Sequence, residues 1–206
     1  MNTKRHLVFA ATITFLAACA ATPKLAPVAD PTQRLEFEGF SILSPQAKGW
    51  LIMEPPLQVD PNLTARVYFI KRLTEEGASS PSELHRLTAV VRTFKVGAAK
   101  TDDPTEILKS IGAGFSKKPS LGKCSGRDCL RYQSTTEDRS NPRYPGHVFV
   151  LSKTGYVVLH PDSAALAINV EYRQYHSRDA KPLSQAALEA EVEPFQKSLR
   201  FTEVRR

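Results

Sequence analysis

Apolar and polar positions divide this chain into three stretches. Leu7 to Ala18 is a twelve-residue apolar run, broken only by Thr12 and Thr14 and preceded by Lys4 and Arg5. Residues 19–34 follow neither a helical nor a strand period and contain Pro23, Pro27 and Pro31. From Leu35 onward, segments rich in Val, Ile, Phe and Tyr alternate with period two between Gly and Pro punctuation, which is the pattern of half-buried strands.

In the third stretch the pattern predicts strands at Phe40 to Leu43, Trp50 to Met53, Thr64 to Lys71 and Leu87 to Phe94. Asp103-Pro104-Thr105-Glu106 then reads as a helix start, with Asp as cap, Pro at the first helical position and Glu three residues after the cap. Ile107, Ile111 and Phe115 follow at a spacing of four and predict one face packed on a sheet. Further strands are expected at Leu130 to Thr135, His147 to Leu151, Gly155 to Leu159 and Ala167 to Tyr175, with Ser152 to Gly155 as a hairpin turn. A second helix is expected from about Ser184 to Leu199, kinked or restarted at Pro194, with Leu188, Val192, Phe195 and Leu199 on one face. Strands mostly follow one another directly, so residues 35–206 should fold as a single α+β domain, a mainly antiparallel sheet covered by two helices.

The first stretch has the charged n-region and apolar h-region of an export signal. As a helix, the apolar run would be about 18 Å long, well short of the roughly 30 Å of a bilayer core. It ends in Leu16-Ala17-Ala18-Cys19, which resembles the lipobox of bacterial lipoproteins. The resemblance implies cleavage after residue 18, a diacylglyceryl thioether on Cys19, and a membrane anchor. More than one acyl chain on a residue makes such an anchor durable. Ala18-Cys19-Ala20 also fits the small-x-small site of an ordinary secreted protein. Under the family's sorting rule an Asp after the cysteine retains the protein at the inner membrane. Ala20 stands there instead, which implies the periplasmic face of the outer membrane in a two-membrane cell. Residues 19–34 read as a lipidated tether extended by its prolines.

Charge narrows the partners. The chain holds 28 Lys plus Arg against 21 Asp plus Glu, and loss of Lys4 and Arg5 with the leader leaves 26 against 21. This mild, dispersed basic bias suits an anionic envelope surface and lacks the density of a nucleic-acid groove, so nucleic-acid binding is not expected.

Few motifs carry chemistry. Cys124 and Cys129 enclose Ser-Gly-Arg-Asp, and in an oxidising compartment, with Cys19 lipidated, they should form a disulfide that pins a hairpin. A redox pair or half a metal site is the functional alternative, although a redox pair usually takes the form CxxC. Ser120-Leu121-Gly122-Lys123, Ser140-Asn141 and Lys153-Thr154-Gly155 imitate elements of penicillin-binding enzymes, but their spacing and the small domain argue against that chemistry. Lys153-Thr154-Gly155 is better read as a hairpin turn. His85, His147, His160 and His176 show no metal-ligand spacing, although His147 and His160 could face each other across the expected hairpin. No enzyme activity, cofactor or metal is expected. In Glu171-Tyr172-Arg173-Gln174-Tyr175 one strand face would be the exposed side of a sheet or a binding surface. The loop from Arg139 to Pro145, with Arg143 and Tyr144, is basic, aromatic and stiffened by two prolines, which makes it the candidate partner contact.

The order of strands, with a closing helix and a final Phe201 segment, resembles the small α+β sandwich of PsbP and Mog1-like proteins. That likeness is topological and carries no catalytic residue across. It implies a binding or assembly role. The expectation is a lipid-anchored envelope accessory factor that binds an envelope protein or surface, with the alternative of a carrier for a small apolar or glycan ligand held between sheet and helices.

Overall fold

The computed structural model describes residues 23–56, 63–73, 80–97 and 101–204. Their frame is an eight-stranded sheet in which every pairing is antiparallel. In chain order its strands are β1 (Lys24–Pro27), β4 (Leu51–Glu54), β5 (Thr64–Arg72), β6 (His85–Lys95), β7 (Ser120–Cys124), β8 (Arg127–Asp138), β9 (Phe149–His160) and β10 (Ser163–Ser177). Across the sheet they lie in the order β1-β4-β5-β6-β10-β9-β8-β7. A three-stranded sheet combines β2 (Arg34–Phe37), β3 (Phe40–Leu43) and β11 (Arg200–Phe201) in the order β11-β3-β2. The helices are α1 (Pro104–Gly112) and α2 (Gln185–Lys197). The fold is therefore α+β, as the alternation of strand and helix patterns requires.

Residues directly opposite across a ladder share a face, so register assigns the two sides of the large sheet. Tyr156, Val170, Val91 and Val67 form one row of the back face. That face packs against α2 and the small sheet in the main core, where Phe40, Ile42, Phe69 and Phe195 are wholly buried. Phe195 meets Phe69 edge-on with ring centroids 6.0 Å apart. Ser184 caps α2 by accepting from the Ala187 amide, and Pro194 lies within the helix. Glu191 fixes the helix laterally, receiving bonds from Trp50 Nε1 (3.2 Å) and Lys71 Nζ (2.6 Å). The small sheet is tied to the end of α2 by Arg34, whose guanidinium donates to Ser41 and to the Ser198 carbonyl.

The front face carries Leu130, Val157 and Leu159, which pack against Ile107 and Leu108 of α1. Asp103 caps α1, its carboxylate accepting from the Thr105 amide at 2.8 Å, with Pro104 in the first turn. The helix ends at Gly112, so Phe115 lies beyond it and packs on the Tyr132 ring, centroids 4.9 Å apart. Farther along the same face Tyr68, Ile70 and Val90 form a separate small core. No helix among the described residues is long and apolar enough to cross a membrane.

Five expectations are corrected. β9 runs unbroken from Phe149 to His160, so Lys153-Thr154-Gly155 is mid-strand and not a turn. His147 precedes that strand and His160 ends it, so the two cannot face each other. His160 instead bonds the Gly39 and Thr202 carbonyls at 2.8 and 3.0 Å. Ser120 to Cys124, too polar to register as a strand, forms the edge strand β7. In β10 neither side of Glu171 to Tyr175 is an exposed face: Glu171, Tyr172, Gln174 and Tyr175 are all buried, Tyr172 in the main core and Glu171 among the side chains of Arg92, Arg173 and Tyr132. The stretch expected as a structureless tether also carries β1, paired with β4 from Lys24 opposite Glu54 to Pro27 opposite Leu51.

His85 and His176 are opposite partners on β6 and β10, with rings 5.6 Å apart. The Gln174 side-chain amide donates to His85 Nε2 at 2.8 Å, which leaves that nitrogen without a proton. Burial and the neighbouring His176 depress the His85 pKa from 6.5 to about 4. An unfolded His85 takes up its proton at higher pH than the folded one. Stability is therefore full above about pH 6.5 and falls as pH drops toward about 4. Urea midpoints followed across that window should decline, and His85→Gln should flatten the decline; an unchanged slope would show that another group carries it.

Candidate functional site

Polar side chains accumulate at the centre of the front face, between the two apolar clusters. Tyr132 of β8 lies opposite Gly155 of β9, which lies opposite Glu171 of β10. One step along the strands, Asn169 of β10 lies opposite Arg92 of β6. Alternation brings Asn169, Glu171 and Arg173 to one side of β10. Glu171 Oε1 accepts from Arg92 Nη1 (3.0 Å) and Arg173 Nε (2.5 Å), while Oε2 accepts from the Tyr132 hydroxyl (2.9 Å). That hydroxyl accepts from Asn169 Nδ2 at 2.8 Å. Arg92, Asn169 and Glu171 are each at most 6% exposed, so the charges are buried on the central strands of the sheet.

Gly155 makes this arrangement possible. A Cβ there would lie 2.6 Å from the Val170 carbonyl oxygen and 2.7 Å from the Tyr132 hydroxyl. The missing side chain lets Tyr132 cross β9 and reach Glu171 two strands away. The glycine therefore marks a close approach, which is the other meaning of a glycine inside a strand pattern.

The electrostatics suit binding better than proton transfer. Burial raises the Glu171 pKa, but Arg173, Arg92 and the Tyr132 hydrogen bond outweigh it and hold the carboxyl below its usual range. Burial and the Glu171 charge push the Tyr132 hydroxyl well above its usual value. At neutral pH the first is ionised and the second protonated, and neither is poised to change.

These residues form part of the lining of an open groove of about 680 Å³. Its apolar wall includes Phe94, Ile111, Phe115 and Val157, and Lys95 and Lys153 lie on opposite sides of Arg92 along the strands. A second cleft of about 580 Å³ lies between the β7-β8 hairpin and α2, with Lys118, Lys123 and Lys197 on its surface. A smaller cavity of about 250 Å³ beneath α2 includes Tyr172 and Gln196, whose hydroxyl and amide nitrogen are buried without partners among the described residues.

Apart from Glu171 and Arg173, the residues singled out by sequence do not converge here. Cys19 lies outside the described residues. Cys124 and Cys129 stand at disulfide distance, sulfurs 2.01 Å apart, across the β7-β8 turn at the sheet edge. Arg139 pairs with Glu137 at 3.0 Å, and the Arg143 guanidinium lies 5.6 Å from the centre of the Tyr144 ring. Tyr144 packs on Phe149, centroids 5.9 Å apart, so part of its surface is spent on the fold. None of the three lines the groove.

The chain matches no protein-family model and no curated protein sequence. The site must be argued from its own chemistry.

Sequence reading missed Arg92, Asn169, Glu171 and Arg173 as a group. Their signal was present as polar and charged residues at alternate positions inside long apolar strands, where ordinary strands bury Val or Ile.

Gly155→Ala should destabilise the protein by about 2 kcal/mol or more, as overpacking against backbone does. It should also break the Tyr132 bond to Glu171. Denaturant unfolding measures the first effect; a stability equal to that of the parent protein would contradict the close approach.

Proposed function

We propose that this protein is a lipid-anchored component of the bacterial cell envelope whose domain works by binding, as an accessory or assembly factor, and not by catalysis. The observation that carries the binding role is the front groove. Its central polar groups are held by strands, Glu171 stays ionised and Tyr132 protonated at neutral pH, and its mouth is open. Preorganised groups of this kind recognise a ligand at little ordering cost. The anchor rests on the leader and on Leu16-Ala17-Ala18-Cys19, and Ala20 favours the outer membrane where two membranes exist. The groove's size and mixed walls also support the carrier reading, in which the bound component is a small molecule rather than a protein.

Metabolic palmitate labelling should mark the parent protein and fail with Cys19→Ser, which should also leave the membrane fraction. Retention of label would overturn the anchor. Photo-crosslinkers placed at Lys153 in the groove and at Arg143 in the loop should trap envelope components in whole cells. A protein adduct at Arg143 supports the assembly role, and a small-molecule adduct at Lys153 supports the carrier. No adduct at either position would overturn the binding role.

A further inference from the structure

We infer that the front groove is a site for an amphipathic anion, a carboxylate or phosphate headgroup attached to an apolar chain. This deepens the binding role proposed above and rests on it. The first argument is charge. Arg92, Lys153 and Arg173 share the front face and line the groove, and among its described residues only Glu171 opposes them. Three cations around one carboxylate, set against low-dielectric walls, focus a positive potential on the space between them.

The second argument is an incomplete partnership. Arg92 is 3% exposed, and its Nη1 is satisfied by Glu171 while its Nη2 has no acceptor among the described residues. A buried guanidinium donor without an acceptor is costly to maintain, and an anion is the partner that suits it. Nη2 is also closed to solvent, so the anion reaches it by displacing a covering side chain.

The third argument is the walls. Phe94, Ile111 and Phe115 present apolar surface beside the cations. A bare inorganic ion would leave this surface unused. A charged head with a chain attached uses both.

The test is calorimetric titration of the full-length protein in phosphatidylcholine nanodiscs with octanoate, octanol and inorganic phosphate. Octanoate should bind at one site, with octanol and phosphate each weaker by about tenfold or more, since a charged hydrogen bond is at stake on one side and apolar burial on the other. Arg173→Gln and Lys153→Gln should each weaken octanoate by about tenfold while circular dichroism stays unchanged. Equal binding of octanol, equal binding of phosphate, or variants as tight as the parent would each overturn the inference. Absence of octanoate binding would overturn it too, while crosslinks at Lys153 in cells would still uphold the broader binding role. Repeating the titration in phosphatidylglycerol nanodiscs separates two sources that both uphold it: lost octanoate binding identifies the headgroup as a membrane lipid's, and retained binding identifies a free acid.

Discussion

A carboxylate buried at the centre of a sheet sets the terms for much of this molecule. Removing Glu171 from water is expensive, and the cost is met only when its oxygens are supplied with donors and countercharge. Three strands contribute to that supply: Arg92 from β6, Arg173 from β10 itself and Tyr132 from β8. The Tyr132 bond exists only because β9 presents no side chain at Gly155. Register errors between these strands are thereby penalised, since a shift of one residue would send Glu171 or Arg92 to the apolar back face. The network thus specifies alignment at the middle of the sheet, where apolar side chains on both faces would tolerate slippage.

The two faces divide the labour. The back face carries the continuous apolar core with α2, Trp50 and the small sheet, and its polar groups mostly bind neighbouring elements together, as Glu191 and Arg34 do. The front face is covered by α1 over β8 and β9, and its apolar surface is split into two clusters with charge between them. A face that served stability alone would have one cluster. Interrupting it with arginines sacrifices apolar burial, which the proposed binding role would account for.

Elements whose signal is local were legible in the sequence. The α1 start was readable because Asp103, Pro104 and Glu106 each report on the adjacent turn, and α2 because Leu188, Val192 and Phe195 share a face at helical spacing. The pairing of Cys124 with Cys129 followed from their proximity in sequence and the turn residues between them. What failed depended on distant partners. Gly155 looks the same in sequence whether it turns a chain or makes room for a tyrosine from another strand. Ser120-Leu121-Gly122-Lys123 becomes a strand only because β8 offers it an edge. The groove was illegible for the same reason: Arg92 and Glu171 are 79 positions apart, and only the strand order makes them neighbours.

Strand β1 changes the reach of the molecule. With acyl chains on Cys19, only residues 20–23 separate the anchor from a segment already paired into the sheet. Fully extended, that link spans about 17 Å, where a free tether ending at residue 34 would have spanned about 50 Å. On the proposed anchor the membrane would lie at the β1 rim, and the sheet would be moored by its own edge. The disulfide hairpin at the opposite rim, seven strand spacings away, stands about 35 Å across the sheet from that mooring. The lipid would act less as a leash than as a hinge pin, and what the domain can touch is decided by how it pivots about one edge strand.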